Sequence, residues 1–342
     1  EDIDDLGVIT AILNSSFDVI GATVWRDHFT KCPVFVMRKS YRQRSDPEFG
    51  KHVANMRGEG LHPGSTIVGR NEYDYWMNLH CCKMVPIERD AFEKNALWLV
   101  DKNSEAEPKK DARNVSAFVA QHEETQAPVV CCSAVNTPAQ AANALAKLCG
   151  GALPTLHAMV GMRVMLIKNE WTCEGLVNGS FGVVVGVVKM TDSNPEVILV
   201  QFGEQYTGPS VMKGMERVVP IVPSDFDFVF GRSKGRARHC KRVQFPLVPA
   251  WAITIHKSQG MTVGPGNDIL QIVVDVGDRE WAAGLVYVAV SRAMCAAAIR
   301  FRPERGAERW SKVGMTKFAM AVKRHLETLD HRAREWALGQ AQ

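Results

Sequence analysis

The sequence lacks several features that would declare its chemistry at once. No stretch reaches the roughly 18 uninterrupted apolar residues that a membrane helix needs, so a soluble chain with no membrane partner is expected. Nine cysteines stand at positions 32, 81, 82, 131, 132, 149, 173, 240 and 295, and no two of them form a Cys-x-x-Cys pair. An odd set without that spacing argues against a zinc framework or a disulfide scaffold, and for reduced thiols in an intracellular protein. Internal repeats and low-complexity tracts are absent too. The net charge of +4 names no acidic partner by itself. Most telling is the missing Gly-x-x-x-x-Gly-Lys-Ser/Thr loop, whose backbone N–H groups cradle a β-phosphate while its lysine neutralises it. Gly50-Lys51 is the one Gly-Lys pair, but it is followed by His52 and has Ser45 where the first glycine would stand.

What is present is the make-up of an ordinary folded protein: 342 residues, 46% apolar and 23% charged, enough to bury roughly three quarters of the unfolded surface. The opening segment from Glu1 shows neither a basic leader nor a cleavage-like site, so the natural start is expected to lie upstream. Val34 and Val36 read as a strand ending in the basic tip Arg38 to Arg44. Phe49, Val53 and Met56 then fall at helical spacing. The run "ALWLV" at 96–100 reads as a second strand, ending in Asp101-Lys102-Asn103 before a charged helix. Strand, polar tip and helix, repeated, is the pattern of a parallel α/β sheet, whose working residues lie at the carboxyl ends of strands.

After Gly175 the texture changes. Gly-punctuated β-branched runs around the turn Asp192-Ser193-Asn194-Pro195, followed by "ERVVPIVP" and "DFDFVF", predict a small β-barrel insertion over 176 to about 240. The run "GRSKGRARHCKR" at 231–242 carries six basic residues and no acid, and reads either as a solvated hairpin or as a local attractor of phosphate. The α/β pattern resumes with "FPLVPAWAITIHKSQG", "DILQIVVDVG" and "LVYVAVSRA". Met315, Phe318, Val322, Leu326, Leu329, Ala333 and Trp336 then predict a C-terminal helix packed on the body by its apolar stripe.

Two strand ends carry the chemistry. His256, Lys257 and Ser258 offer donors suited to phosphate oxygens, and Gly260, after Gln259, lets backbone approach without a side chain in the way. About thirty residues on, Leu285 to Val290 reads as an apolar strand delivering Ser291 and Arg292 at its tip. A guanidinium is permanently charged and forked, which suits phosphate. The plainer alternative for these blocks is a buried polar knot with structural arginines. Asp275, which ends "ILQIVVD", reads as a strand-end residue and not as a magnesium ligand. His80-Cys81-Cys82 reads as apolar filler, and no metal site is expected.

Taken together, "AWAITIHKSQGMT", "YVAVSRA", "RVMLIKNEWTCEGLVNGSFGVVVGVV" and "MRKSYRQ" resemble the Pif-type DNA helicases of the RecD-like branch of superfamily one, including relatives carried by Helitron transposons. The resemblance runs from about Trp25 to Arg300. It implies an α/β fold: a RecA-like parallel-sheet lobe, the second of two motor lobes, interrupted by a small SH3-like β-barrel insertion and followed by a C-terminal helix. The implied boundaries are 1–30 for a junction remnant of the first lobe, 31–175 and 241–312 for the second lobe, 176–240 for the insertion and 313–342 for the helix. Arg42 matches an arginine that reaches the γ-phosphate, and Arg292 matches an arginine finger. Thr254, His256, Lys257 and Ser258 match a motif that touches single-strand backbone, and Gln259 and Gly260 its nucleotide edge. Asn103 stands where relatives carry a Thr-Asn that contacts the strand, although Lys102 replaces the threonine.

The resemblance further implies ATP and Mg2+ as cofactors in a full-length protein, single-stranded or forked DNA as partner, and 5′-to-3′ unwinding. Roles in repair, recombination, telomere maintenance or transposition would follow, in a nucleus or mitochondrion. The first lobe is expected to be missing from this chain. The rival expectation is a truncated, non-motor module that binds single-stranded nucleic acid, or a transposon remnant.

Overall fold

A computed structural model describes residues 41–56, 66–101, 109–189, 195–209, 213–233, 236–275, 284–302 and 310, with single residues and short stretches between 320 and 335. The expected junction at 1–30, the strand at Val34 and Val36, and Asn103 lie outside the described residues.

A turn at 41–45 leads into α1 (Pro47–Asn55), where Asp46 serves as N-cap by accepting from the Phe49 amide at 3.0 Å. Pro47 sits in the first turn, where a missing N–H is harmless. Helices α2 (Thr66–Asn78) and α3 (Pro86–Asn95) precede β1 (Leu97–Val100) and α4 (Lys109–Thr125). There follow β2 (Val130–Ser133), β3 (Val135–Thr137), β4 (Thr155–Ala158), β5 (Arg163–Leu166), β6 (Phe181–Val188), β7 (Val197–Phe202) and β8 (Val218–Ile221). The chain continues through β9 (Ser224–Ser233), β10 (Arg236–Gln244), β11 (Leu247–Pro249), β12 (Ala252–Thr254), β13 (Ile272–Asp275), α5 (Leu285–Val290) and β14 (Ile299–Arg302).

The parallel sheet has the order β12-β1-β13-β14, with Val100 paired to Thr254 on one side and to Asp275 on the other. All four residues of β1 are buried, which is why its run is apolar without alternation: both faces of the sheet are covered. The period-2 geometry still sorts them. Leu97, Leu99, Ile253, Ile272 and Val274 join the core formed with α1, α2 and α5, whereas Trp98, Ala252 and Val273 pack with Phe92, Ala96 and Cys81 on the opposite face. The edge strand β12 is fastened by Asn114 of α4. Its amide nitrogen donates to the Ala252 carbonyl at 3.0 Å, and its oxygen accepts from the Trp251 and Ala252 amides at 3.0 and 2.9 Å.

The β-rich part forms a five-stranded antiparallel sheet in the order β11-β5-β6-β7-β8, a three-stranded one in the order β3-β10-β9, and the pair β2-β4. Antiparallel pairing therefore reaches beyond 176–240 on both sides, because β5 and β11 pair with each other and β5 carries β6. Val164, Leu166, Val184, Ile198, Val200, Val219 and Leu247 form its core.

One expectation needs correcting. The segment Leu285 to Val290 is not a strand but the helix α5: Leu285, Val286, Ala289 and Val290 are buried, a spacing that is one face of a helix, and Gly284, at φ 81°, turns the chain into it. A short run of β-branched residues cannot be told from a buried helical turn by composition. The basic run at 231–242 folds as the β9–β10 hairpin, one of its two expected forms, and Lys241 bonds Asp225 at 2.7 Å on the surface. Arg242, however, is fully buried. It donates to Asn136 Oδ1 at 2.8 Å and to the carbonyls of Ala152, Ala144, Ala142 and Ala141 at 2.9, 3.0, 3.2 and 3.4 Å.

In the tail, 320, 324, 327–329 and 331–335 are helical, with Leu329 and Ala333 half-buried; the remaining apolar positions of the expected stripe lie outside the described residues. Among the described residues, no helix is long and apolar enough to cross a membrane.

Replacing Arg242 by Ala strands those buried acceptors and is expected to destabilise the chain by about 3–5 kcal/mol, read as a lower urea midpoint with unchanged slope.

Candidate phosphate and nucleic-acid site

Three segments far apart in the sequence meet beyond the parallel sheet. The first is the turn at 41–46. The second runs from the end of β12 through a 3-10 turn, Ile255–Ser258, to Val263. The third is 291–296, which leaves α5.

Hydrogen bonds knit them together. Arg42 donates from Nη1 to the Ser291 carbonyl at 2.9 Å and from Nε to Thr262 Oγ1 at 3.4 Å. The Gln43 amide nitrogen donates to the carbonyls of Ser291 and Ala293 at 3.4 and 2.8 Å. Asp46, besides capping α1, accepts from the Ala296 amide at 3.0 Å. From the other side, the Val263 amide donates to the Arg292 carbonyl at 3.0 Å and the Met294 amide to the Val263 carbonyl at 2.9 Å.

This arrangement brings Arg42 and Arg292 together. The Arg292 side chain donates to the Val288 carbonyl at 3.0 Å and to the Ser291 hydroxyl at 2.9 Å, so both guanidiniums contact Ser291. Burial, and then the Arg42 charge, lower the Arg292 pKa. Among the described residues, neither arginine has a carboxylate ion-pair partner. Two half-buried like charges held side by side favour an anion.

The other expected residues divide. Thr254 ends β12 and is half-buried, while His256, Lys257, Gln259 and Gly260 are exposed. Lys257 is an exposed residue whose ammonium is nonetheless partly desolvated. That desolvation, and then Lys110, lower its pKa, so a second pair of cations lies near the carboxyl end of the sheet. Gly260, at φ 88°, has open space where a Cβ would stand, so the glycine answers a backbone conformation and not a tight contact. Ser258 is a correction. It is completely buried and donates to the Ile255 carbonyl at 2.7 Å, closing the 3-10 turn from inside, so it cannot reach a strand outside. Asp275 faces Lys109, which lies 4.0 Å from it and 3.9 Å from Asp101.

Sequence reasoning missed Gln43, Asp46 and Lys110. Gln43 follows Arg42 directly and Asp46 closes the same turn, and nothing in their spacing announces a partner some 250 residues away.

No protein-family model matches the chain. In sequence, 138 residues match the ATP-dependent DNA helicase PIF1 of Mus musculus at 34% identity, covering 40% of this chain and 17% of that protein. The human protein of the same name matches at 35% over 138 residues, covering 40% of this chain and 18% of the relative. That of Xenopus laevis matches at 37% over 134 residues, covering 39% and 17%. Over the matched segments the chain is similar in sequence to Pif1-type helicases. Its fold is shared with the crystal structure of the Pif1 helicase from Candida albicans, with a TM-score of 0.54 and 24% identity over 84% of this chain and 60% of that one. The matched segment spans under a fifth of the length of the PIF1 relatives from mouse, human and frog.

Removing Asp46 tests the knit. Asp46→Ala loses the helix cap and leaves the Ala296 amide without its acceptor, with an expected loss of about 1–3 kcal/mol in chemical denaturation.

Proposed function

We propose that this chain supplies the second RecA-like lobe of an ATP-dependent DNA helicase, with an SH3-like insertion rising from it and a first lobe carrying the phosphate-binding loop that this sequence lacks. The observation that carries the reading is the pairing of Arg42 with Arg292 across Ser291, with no carboxylate partner for either among the described residues. The likeness to Pif1-type helicases in sequence and fold supports it.

The donor set fits a triphosphate. Forked guanidiniums, partly desolvated and mutually repelling, are stabilised by a polyanion and by the charge that builds on a transferring phosphoryl group. ATP with its Mg2+ supplies the phosphoryl-transfer chemistry when bound between the lobes. Arg42 and Arg292 hold and orient the terminal phosphate from this side, and Gln259 with Gly260 lines the nucleotide edge. Thr254, His256 and Lys257, with Asn103, meet the backbone of single-stranded or forked DNA, and closing and reopening of the lobes moves that strand 5′ to 3′. Such work belongs in a compartment that holds DNA, nucleus or mitochondrion, and in repair, recombination, telomere maintenance or transposition.

The chain as it stands is expected to bind tripolyphosphate, with Arg42→Ala and Arg292→Ala each raising Kd about tenfold by calorimetric titration. Affinity that is indifferent to both substitutions would sink the reading. It is also expected to release no phosphate from ATP, with or without DNA, and DNA-stimulated turnover by this chain would contradict the two-lobe assignment. Fluorescence anisotropy with a single-stranded oligonucleotide should show Lys257→Ala weakening binding irrespective of sequence and lowering the slope of log K against log salt by about one.

A further inference from the structure

We infer that Gln43 is a positioning residue for Arg292, fixing the height at which that guanidinium meets a phosphate; the functional consequence rests on the role proposed above for Arg292. Gln43 is 5% exposed, so its amide has little access to water. That amide is directed at the carbonyls of Ser291 and Ala293, the residues on either side of Arg292. The peptide carbonyl of Arg292 itself is taken by the Val263 amide at 3.0 Å. The backbone that carries the arginine is thus gripped at three successive carbonyls, two by one side chain and one by the loop that follows Gly260.

Gln43 is held in turn. Its stem lies against Gly50 of α1, where an added Cβ would stand 3.1 Å from the Gln43 Cβ, tighter than ordinary packing allows. The helix comes this close because it has glycine there. Neighbouring Arg42 bonds the Ser291 carbonyl at 2.9 Å, the same oxygen that the Gln43 amide approaches at 3.4 Å. One dipeptide therefore contributes a charge to the site through Arg42 and holds the segment that bears the second charge through Gln43. A shift of the 41–46 turn is transmitted to Arg292 without any contact between the Gln43 side chain and ligand. A buried amide that serves only packing would leave the guanidinium where it is; this one bonds the main chain on both sides of it.

The test uses Gln43→Met, which keeps length and removes both donors, and Gln43→Asn, which keeps the amide but shortens its reach. NMR of the arginine Nε–Hε groups in the ligand-free chain should show the Arg292 and Arg42 signals shifted or broadened, with those of Arg242 and Arg163 unchanged. Tripolyphosphate affinity should fall about five- to tenfold for Gln43→Met, and less for Gln43→Asn, while oligonucleotide affinity stays within twofold. Unmoved Arg292 signals, or tripolyphosphate and oligonucleotide affinities that fall together in step with melting temperature, overturn the inference. Should Gln43→Met fail to fold, Gln43→Asn must show the same split between the two ligands, and its absence there also overturns it. If the signals move but the parent chain shows no arginine-dependent tripolyphosphate binding, the positioning stands and the proposed motor reading falls instead.

Discussion

The attachment of the 41–46 turn to the 291–296 segment is the constraint on which the site depends. Four side-chain contacts, from Arg42, Gln43 and Asp46, end on the backbone of residues 291, 293 and 296. They satisfy main-chain groups that leave a short helix and would otherwise lie buried without partners. The same bonds place two guanidiniums next to each other, and Val263 locks the segment from its far side.

Partners, and not residue type, separate a fully satisfied buried arginine from the two that face each other beside Ser291. Arg242 is fully buried, and its donors end on one amide oxygen and four carbonyls, so its charge is spread over fixed dipoles. Arg42 and Arg292 are half-buried and share Ser291, and the Arg42 charge adds to burial in lowering the Arg292 pKa. Such an arrangement persists because the surrounding main chain holds it, and an anion relieves it. Near the end of β12, Lys110 adds to burial in lowering the Lys257 pKa, although Lys110 itself is paired with Asp111 at 2.9 Å.

Much of the fold could be read from local pattern. The α1 helix, the apolar β1, the punctuated strands of the β-rich part and the strand at Ile272 to Asp275 all stand where period and punctuation put them. These elements are dictated within a dozen residues, by alternation, β-branching and turn chemistry. Local pattern failed where two readings share one composition. The run Leu285 to Val290 satisfies a buried strand and a buried helical turn equally, and the packing of α5 against the sheet core decides between them. Ser258 failed for a related reason: a hydroxyl in a donor-rich cluster looks available, but a 3-10 turn points it inward to its own carbonyl. The limits of the β-rich part were misjudged because β5 and β11 join its sheet through pairings distant in sequence.

By itself, the sequence determined which residues carry charge, which strands are apolar enough to be covered on both faces, and that no lysine-bearing phosphate loop lies in these 342 residues. Those properties belong to side chains and short windows, and survive any arrangement of the chain. Only the tertiary structure decided that Arg42 meets Arg292, that Gln43 grips the carbonyls of the residues on either side of it, and that Arg242 is withdrawn into the core. Each of these is a contact across roughly a hundred residues or more, and a hydrogen bond of about 3 Å depends on the position of every packed element between its ends.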